Sequence, residues 1–365
     1  MADDLTLLID GRRYWGWSSV RVSAGIDRCV SDFRIEVSER WTGQGEDWKI
    51  LPFAACQVLI DDEPVLTGYV EEYSPSIGAV EHRTTIAGKS KTGDLVECTP
   101  EILGGQFRGY SLAAIARAVC APFGVAVVVG TSAADMTFQN VQIERCETGF
   151  SFLERLGRLA GVLLTDDANG NLLLTTAGQN AAAGALVEGV NIQAATARLS
   201  SHGRYSQFIV KGQSGLSAGT SVQTGLRAEA DDASVPRYRP RVVIAESQLS
   251  LAQMQQRANW LRQRAFGMAT SADITLAGWR QADGSLWQPN LTVPVTSSAL
   301  GVDADLLIAR VEFNLSAQSG RTTTLHVGPV QAFTPDPGAV RMHKAHGKRR
   351  RRGGCPTWHS AGGIE

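Results

Sequence analysis

Several stretches of this sequence carry residue types that do chemistry elsewhere, and each stops short of a working pattern. Ala87-Gly88-Lys89-Ser90 ends like a phosphate-binding loop, where backbone N–H groups and a lysine cradle phosphate oxygens. The full pattern requires glycine five positions before Gly88, and Arg83 stands there. It also requires a following helix, whereas Thr92-Gly93-Asp94 reads as a turn, so an exposed turn after a strand is the simpler reading. Gly212-Gln-Ser214-Gly-Leu fails at the last position of a nucleophile elbow. The body holds three histidines, His82, His202 and His326, and no His-Glu-x-x-His. Cys120 with His326 would suit a thiol nucleophile and its base, but Cys120 ends an Ala-rich helix, where a small buried hydrophobe is the commoner role. Asp166-Asp167-Ala-Asn169-Gly-Asn171 offers oxygen ligands without the spacing or terminal Glu of a calcium loop, and a hairpin turn accounts for it.

The C-terminal stretch adds two more candidates. His343, His346, Cys355 and His359 are metal-ligand types at irregular spacing, with no apolar residues to pack around an ion. Lys348, Arg349, Arg350, Arg351 and Arg352 form a run able to neutralise the phosphates of a polyanion, against the plainer alternative of a solvated charged tail. Asn290-Leu-Thr292 and Asn314-Leu-Ser316 match glycosylation acceptors, which carry no meaning without secretion. No catalytic residue, cofactor site or metal site is assigned.

The framework behind these residues is β-rich. Between Leu5 and about Gly88, Phe33, Ile35 and Val37 alternate with Arg34, Glu36 and Ser38, a period of two that turns one face inward. Val58 and Ile60 lead into the turn cluster Asp61-Asp62-Glu63-Pro64, and Leu66, Gly68 and Val70 follow. Such runs predict an antiparallel sheet or small barrel over residues 1–95. The period then changes. Ser111 caps a helix facing inward through Leu112, Ile115, Val119 and Phe123, and Gly124 stops it before a strand at Val125–Val129. The plan recurs: Ser151 and Glu154 make a capping box, Phe152, Leu156 and Leu159 line a face, Gly161 ends the helix, and a strand starts at Val162. Asn169-Gly170 supplies the positive φ angles of a tight hairpin. Residues 96–186 therefore read as a small α/β domain of two helix–strand units.

Strand signals return over 187–335, predicting a second barrel related to the first. It is interrupted by an exposed loop at 212–234 and a helix at 250–266, capped by Ser250 with Gln253 and closed by Gly267. Residues 336–365 are a basic, flexible tail of about +6, leaving the body about −7 in a chain of net −1. That balance, 35 basic against 36 acidic residues, excludes a globally basic nucleic-acid binder. Hydrophobic types reach 43% of 365 residues, enough for a sizeable core in two to three domains. No run approaches about 20 apolar residues, and Met1-Ala2-Asp3-Asp4 lacks a secretory plan, so neither a membrane anchor nor export is expected. The six cysteines, at 29, 56, 98, 120, 146 and 355, are never closer than 22 positions and are expected to be unpaired thiols.

These readings stop at a β-rich, multidomain protein without recognisable catalytic chemistry. The order of its segments goes further. Ile9-Asp-Gly11, Trp17-Ser-Ser-Val20 and Phe33-Arg-Ile-Glu-Val-Ser38 are followed by Thr67-Gly-Tyr-Val70 and Gly88-Lys-Ser-Lys-Thr-Gly-Asp-Leu-Val96. Phe152-Leu-Glu-Arg-Leu156, Gly170-Asn-Leu172, Gly278-Trp-Arg280, Asp283-Gly-Ser-Leu-Trp287, Pro289-Asn290 and Asp305-Leu-Leu-Ile308 with Val311 complete the series. Over about residues 5 to 335 this series resembles the baseplate hub (tail protein P) family of Mu-like contractile-tail bacteriophages. Lys89 departs from the arginine expected there, and no role is transferred to the tail.

The resemblance implies an α+β, β-rich fold with two related β-barrel domains plus a small α/β domain. It implies a homotrimer whose six barrels form a ring, adapting a sixfold tail tube to a threefold spike. The partners implied are a trimeric spike or baseplate protein, the tail tube protein, and transiently the tape measure protein and DNA in the lumen. No cofactor is implied, and the location would be the virion's tail baseplate, with the host bacterial cytoplasm as the site of assembly. Two rivals remain: the hub part of a type VI secretion spike, and a tail-associated cell-wall hydrolase, which would need an acid/base or nucleophile set that the sequence does not offer.

Overall fold

The structure is a computed structural model that describes residues 4–38, 50–78, 82–102, 104–212, 226–245 and 250–335. The alternating segments form strands as their period of two dictates. The first seven are β1 (Leu5–Ile9), β2 (Arg12–Tyr14), β3 (Ser19–Gly25), β4 (Asp32–Ser38), β5 (Ala55–Ile60), β6 (Glu63–Ile77) and β7 (His82–Ser90). They hydrogen-bond in the order β3-β4-β7-β6-β5-β1-β2. Leu7, Val22, Ile35, Val58 and Leu66 point into one core, all of them essentially inaccessible to solvent.

A short helix, α1 (Gly93–Glu97), follows β7, where the sequence suggested only a turn. The α/β segment comes next. Two small ladders, β8 (Gln106–Phe107) and β9 (Tyr110–Ser111) with their later partners, flank α2 (Leu112–Cys120). Then come β10 (Val127–Val129), β11 (Thr137–Phe138), β12 (Val141–Gln142), α3 (Gly149–Ala160), β13 (Leu163–Asp166) and β14 (Leu172–Thr175). The helices cover a three-stranded sheet β10-β14-β13 through Leu112, Ile115, Phe152 and Leu156. Ser111 caps α2 as expected, its side chain accepting from the Ala114 N–H. The cap of α3 is Thr148, not Ser151: its hydroxyl accepts from the Ser151 N–H, so Ser151 lies at the third helical position and Glu154 pairs with Arg158 instead. Gly124 and Gly161 end their segments with φ of +64° and +70°, the left-handed geometry that glycine adopts without strain. In the β13–β14 hairpin only Gly170 has positive φ. The Asp167 carboxylate accepts from the Asn169 and Asn171 N–H groups and fixes a five-residue loop instead of a two-residue turn.

The later strands are β15 (Asn180–Ala181), β16 (Leu186–Val187), β17 (Ile192–Leu199), β18 (Gln207–Lys211), β19 (Arg227–Asp231) and β20 (Pro240–Ile244). After them come α4 (Leu251–Met268), β21 (Thr270–Ala277), β22 (Leu291–Ser297), β23 (Val302–Ser316) and β24 (Gly320–Gly328). Here the structure corrects the sequence reading twice. Gln207–Lys211 was expected in the second barrel, and residues 227–231 in an exposed loop. Both instead join β20 in a separate sheet, β19-β18-β20, on which α4 packs through Met254, Ala258 and Leu261. The rest of that loop, 213–225, lies outside the described residues. The helix also runs past Gly267, which is no cap: a Cβ there would lie 2.5 Å from the Ala332 backbone nitrogen, so the glycine marks a close helix–chain approach.

The remaining strands run β17-β21-β24-β23, with β22 beside β23 and the short β15 and β16 beside β22. This is the order of the first seven strands over again. The long strands correspond as well: β6 and β23 each span 15 residues and each carries a bulge, between Val70 and Glu72 and between Ile308 and Arg310. The halves join where β23 pairs with β3, giving one fourteen-stranded sheet around one continuous apolar core. Among the described residues no ladder closes either half into a barrel, since β2 pairs with β1 and not with β3.

Candidate assembly interface

The residues with chemical potential are dispersed, and most of them are structural. Gly88, Lys89 and Ser90 belong to β7, not to a loop. A Cβ at Gly88 would lie 2.3 Å from the Tyr69 carbonyl oxygen and 2.6 Å from the Phe33 ring, so this glycine serves strand packing. Lys89 Nζ is held by Glu97 at 2.6 Å and Glu71 at 2.9 Å, which raises its pKa. Cys120 is fully buried in the α/β core, where burial pushes the thiol up to about 12 and keeps it protonated. His326 turns its ring nitrogens to carboxylates on the large sheet, so the structure does not bring the cysteine and histidine together as a catalytic pair. Cys29, Cys56, Cys98, Cys120 and Cys146 are all outside disulfides. Among the described residues no group of His, Cys, Asp and Glu is arranged to hold a metal, and no helix is long and apolar enough to cross a membrane. Ser214, His343, His346, Lys348 to Arg352, Cys355 and His359 lie outside the described residues.

Sequence reasoning missed Asp166. It sits at the end of β13, not in the turn, and is buried. Its carboxylate accepts from the Ser31 N–H and Ser31 Oγ, both at 2.9 Å. Burial raises its pKa, and hydrogen bonds from Ser90 and Ser31 oppose that rise. Ser90 Oγ lies 2.8 Å from Thr92 Oγ1, which donates to the Cys29 carbonyl at 2.7 Å. This network locks the turn between β3 and β4 onto the α/β segment. The apolar run around Leu163–Thr165 gave the only hint that Asp166 would be inside.

The seam between the halves carries a row of charges on the face opposite the core. Arg21 on β3 donates to Glu312 on β23 at 2.7 and 3.4 Å, and to Asp32 on β4 at 3.2 Å. Asp32 also pairs with Arg28. On the other side, Glu312 lies 3.5 Å from His326 Nε2, an ion-pair contact longer than a well-formed hydrogen bond. His326 Nδ1 meets Asp273 on β21 at 2.6 Å. Glu312 is held at about 2, first by the His326 contact and then by Arg21, against the opposing effect of burial. His326 is correspondingly raised, first by Glu312 and also by Asp273. Five neighbouring strands are thus tied across the seam.

The outer limits of the sheet differ from the seam. β17 ends the strand order, and the second half of β6, residues 72–77, has β7 on one side and no strand on the other. Ile77 and Leu199 on these edges are 80% and 69% exposed. A cleft of about 710 Å³ lies between α3, α4 and β21, lined by Phe150, Trp260 and four arginines. Its acids, Asp27 and Glu154, are each paired to an arginine, which leaves no unpaired carboxylate to act as an acid or base.

Four domain families match successive parts of the chain. Residues 4–90 match the Mu phage baseplate assembly protein GpP-like N-terminal domain, and residues 92–176 the second domain of baseplate hub protein gp44-like proteins. Residues 204–261 match the third domain of tail protein NMB1110-like proteins, and residues 250–336 the fourth domain of Mu phage GpP. The baseplate hub protein gp44 of Escherichia phage Mu is 30% identical over 343 residues, which cover 91% of this chain and 89% of that protein. The crystal structure of a 43 kDa tail protein from prophage MuSo2 of Shewanella oneidensis superposes with a TM-score of 0.82 at 34% identity, covering 91% and 99% of the two chains. A component of the E. coli type VI secretion system, c3393, shares the fold alone, with a TM-score of 0.52 at 10% identity over 91% of this chain and 80% of that one.

Proposed function

We propose, from the premise that this chain belongs to the baseplate hub family of phage Mu, that it assembles as a homotrimer adapting a sixfold tail tube to a threefold spike. Membership makes it a structural protein of a phage tail baseplate, and the families it matches are named for tail and baseplate proteins, none for a catalyst. The supporting observation is the strand order that runs twice through one sheet. Closed interfaces must repeat with the symmetry of the assembly. A trimer of a duplicated chain offers three identical surfaces to a spike and six similar ones to a tube. In this reading the halves are the two barrel-like domains, the lumen passes the tape measure protein and then DNA, and the run Lys348 to Arg352 contacts phosphates.

Light scattering tests the trimer: the expected mass is three times the 39.1 kDa chain, with a ring in electron micrographs. A dimer, or particles without a ring, would overturn the adaptor reading. Incubation with purified cell wall separates the hydrolase alternative, which predicts release of soluble fragments. The fold shared with a type VI component keeps that second setting open, and neighbouring sheath and tape measure genes against secretion effectors decide it.

A further inference from the structure

The intramolecular seam is a template for a junction that one chain cannot complete. β23 uses its first half, 302–307, to pair with β22 and its second half, 310–316, to pair with β3. The corresponding strand in the other half, β6, uses its first half to pair with β5, but its second half has no partner on that side. The strand corresponding to β3 is β17, and its outer edge is likewise unpaired. Burial follows the pairing. Val311 and Phe313 of β23, and Val20 and Val22 of β3, are buried, whereas Ser74 to Ile77 are exposed and Ala195 and Ala197 only half-buried.

We propose that residues 72–77 of β6 in one copy take β17 of a second copy as an antiparallel neighbour, in the register of the β23–β3 seam. This rests on the ring assembly argued above and names the surface that closes it. The register follows from correspondences around the bulges. Val311 pairs with Leu325 as Tyr73 pairs with Ile86, and Ile274 pairs with Leu325 as Ile35 pairs with Ile86. Ala195 and Ala197 then stand where Val20 and Val22 stand. Carrying over Val311↔Ala24, Phe313↔Val22 and Leu315↔Val20 places Tyr73 opposite Leu199, Pro75 opposite Ala197 and Ile77 opposite Ala195 of the second copy. Both exposed apolar side chains become covered, and two unpaired strand edges, each a liability in isolation, are satisfied. Pro75 has no N–H, so this edge offers one donor fewer than its counterpart. The two surfaces are different, so the contact is head-to-tail and closes only as a ring.

Opposed side chains in an antiparallel pair have Cβ atoms about 4.5–5.5 Å apart, close enough for an engineered disulfide to form with small shifts. The test is a chain carrying both Ser76→Cys and Thr196→Cys, opposed in this register, with each single variant and the shifted pair Ser74→Cys with Thr196→Cys as controls. The controls measure the background from exposed Cys98 and Cys146. Mild oxidation of the assembled protein should give covalent oligomers at least about tenfold more abundant than the shifted pair gives, with melting temperatures of the reduced variants unchanged. Independently, amide exchange over residues 194–199 should slow on assembly. An intact trimer in light scattering whose matched pair links no better than the shifted pair overturns this junction and leaves the hub reading standing. A monomer at every concentration overturns both.

Discussion

The strands β3 and β17 occupy the same place in the two halves of one sheet, yet they are built differently. β3 presents Val20 and Val22 to the core and Arg21 to the outer face, and β23 covers its edge. β17 presents Ala195 and Ala197, with Thr196 where Arg21 would stand, and ends at a 69% exposed Leu199. The charged row has no counterpart either: Ser74, Ala87 and Arg34 stand where Glu312, His326 and Asp273 stand. A permanent internal junction is thus filled with β-branched side chains and crossed by ion pairs. The edge with no neighbour within the chain carries small and neutral ones.

The largest expected effect breaks this comparison at its centre. Phe313 is 4% exposed and packs edge-to-face on Trp279 with ring centroids 6.3 Å apart. Phe313→Ala should cost roughly 3–5 kcal/mol in urea unfolding, as deletion of a buried aromatic does. Pro75 stands at the corresponding place on the unpaired edge, and Pro75→Ala should shift an unassembled chain by less than about 0.5 kcal/mol. Equal effects would mean that the two places are not equivalent.

The charged row predicts a pH dependence confined to the seam. Glu312 is depressed to about 2 from 4.5. Its stabilisation is present above pH 4.5 and is lost as pH falls toward 2, by at most about 3 kcal/mol. His326 is raised from 6.5, so its share is present below 6.5 and is lost as pH rises through its folded value. The two shifts describe one interaction and do not add. Stability measured by urea unfolding from pH 2 to 8 should therefore peak between about 4.5 and 6.5 for this cluster's contribution, and Glu312→Gln should flatten the acid limb. An unchanged acid limb in that variant would show that Glu312 is not the group responsible.

The halves also differ in what fills the connection after β3 and after β17. After β3 it is a short turn held by Asp166; after β17 it is the unit of β18, β19, β20 and α4. Asp166→Ala leaves the buried Ser31 N–H without its acceptor and should cost about 1–3 kcal/mol. Asp166→Asn keeps an acceptor and should cost less than about 1 kcal/mol. Because the Asp166 pKa is raised, the stability it supplies is present at low pH and declines as pH rises through its folded value. The Asn variant should lose that slope. Identical losses in both variants would remove the turn from the account.

Much of the sheet was legible because alternation is a local signal. Phe33, Ile35 and Val37 announce their strand whatever their neighbours do, and Ser250 with Gln253 announces its helix by a cap that forms within four residues. What stayed hidden depends on distant partners. Nothing local distinguishes Gln207–Lys211, in the separate sheet, from strands of the large one, since either assignment buries Phe208 and Val210. Ser151 was mistaken for a cap because Thr148, three residues earlier, satisfies the same rule. The seam was invisible because Arg21 and Glu312 are 291 positions apart and read separately as ordinary surface charges. The assembly surface was harder still, since an edge strand differs from a paired one only in what lies beside it.

The smallest effect concerns the turn between β5 and β6, where adjacent aspartates serve the two kinds of contact. Asp61 and Glu63 receive Arg280 at 2.9 and 2.6 Å, and Arg280 also donates to the Gly284 carbonyl at 2.8 Å, pinning the second half's loop onto the first half. Arg280 is 24% exposed. Asp62 receives Arg13 at 2.9 Å, but those side chains are 84% and 53% exposed and both belong to the first half. An exposed single pair is worth little, because solvent screens it and two long side chains lose freedom to hold it. A network that shares one guanidinium between two carboxylates and a carbonyl loses that freedom once for three contacts. Arg280→Ala should therefore destabilise by about 1 kcal/mol and Arg13→Ala by less than about 0.3 kcal/mol. Raising the salt from 0.05 to about 1 M should narrow the gap, since the Debye length falls to about 3 Å at 1 M. If the two variants are indistinguishable in dilute buffer, the halves are held at this end by their shared core alone.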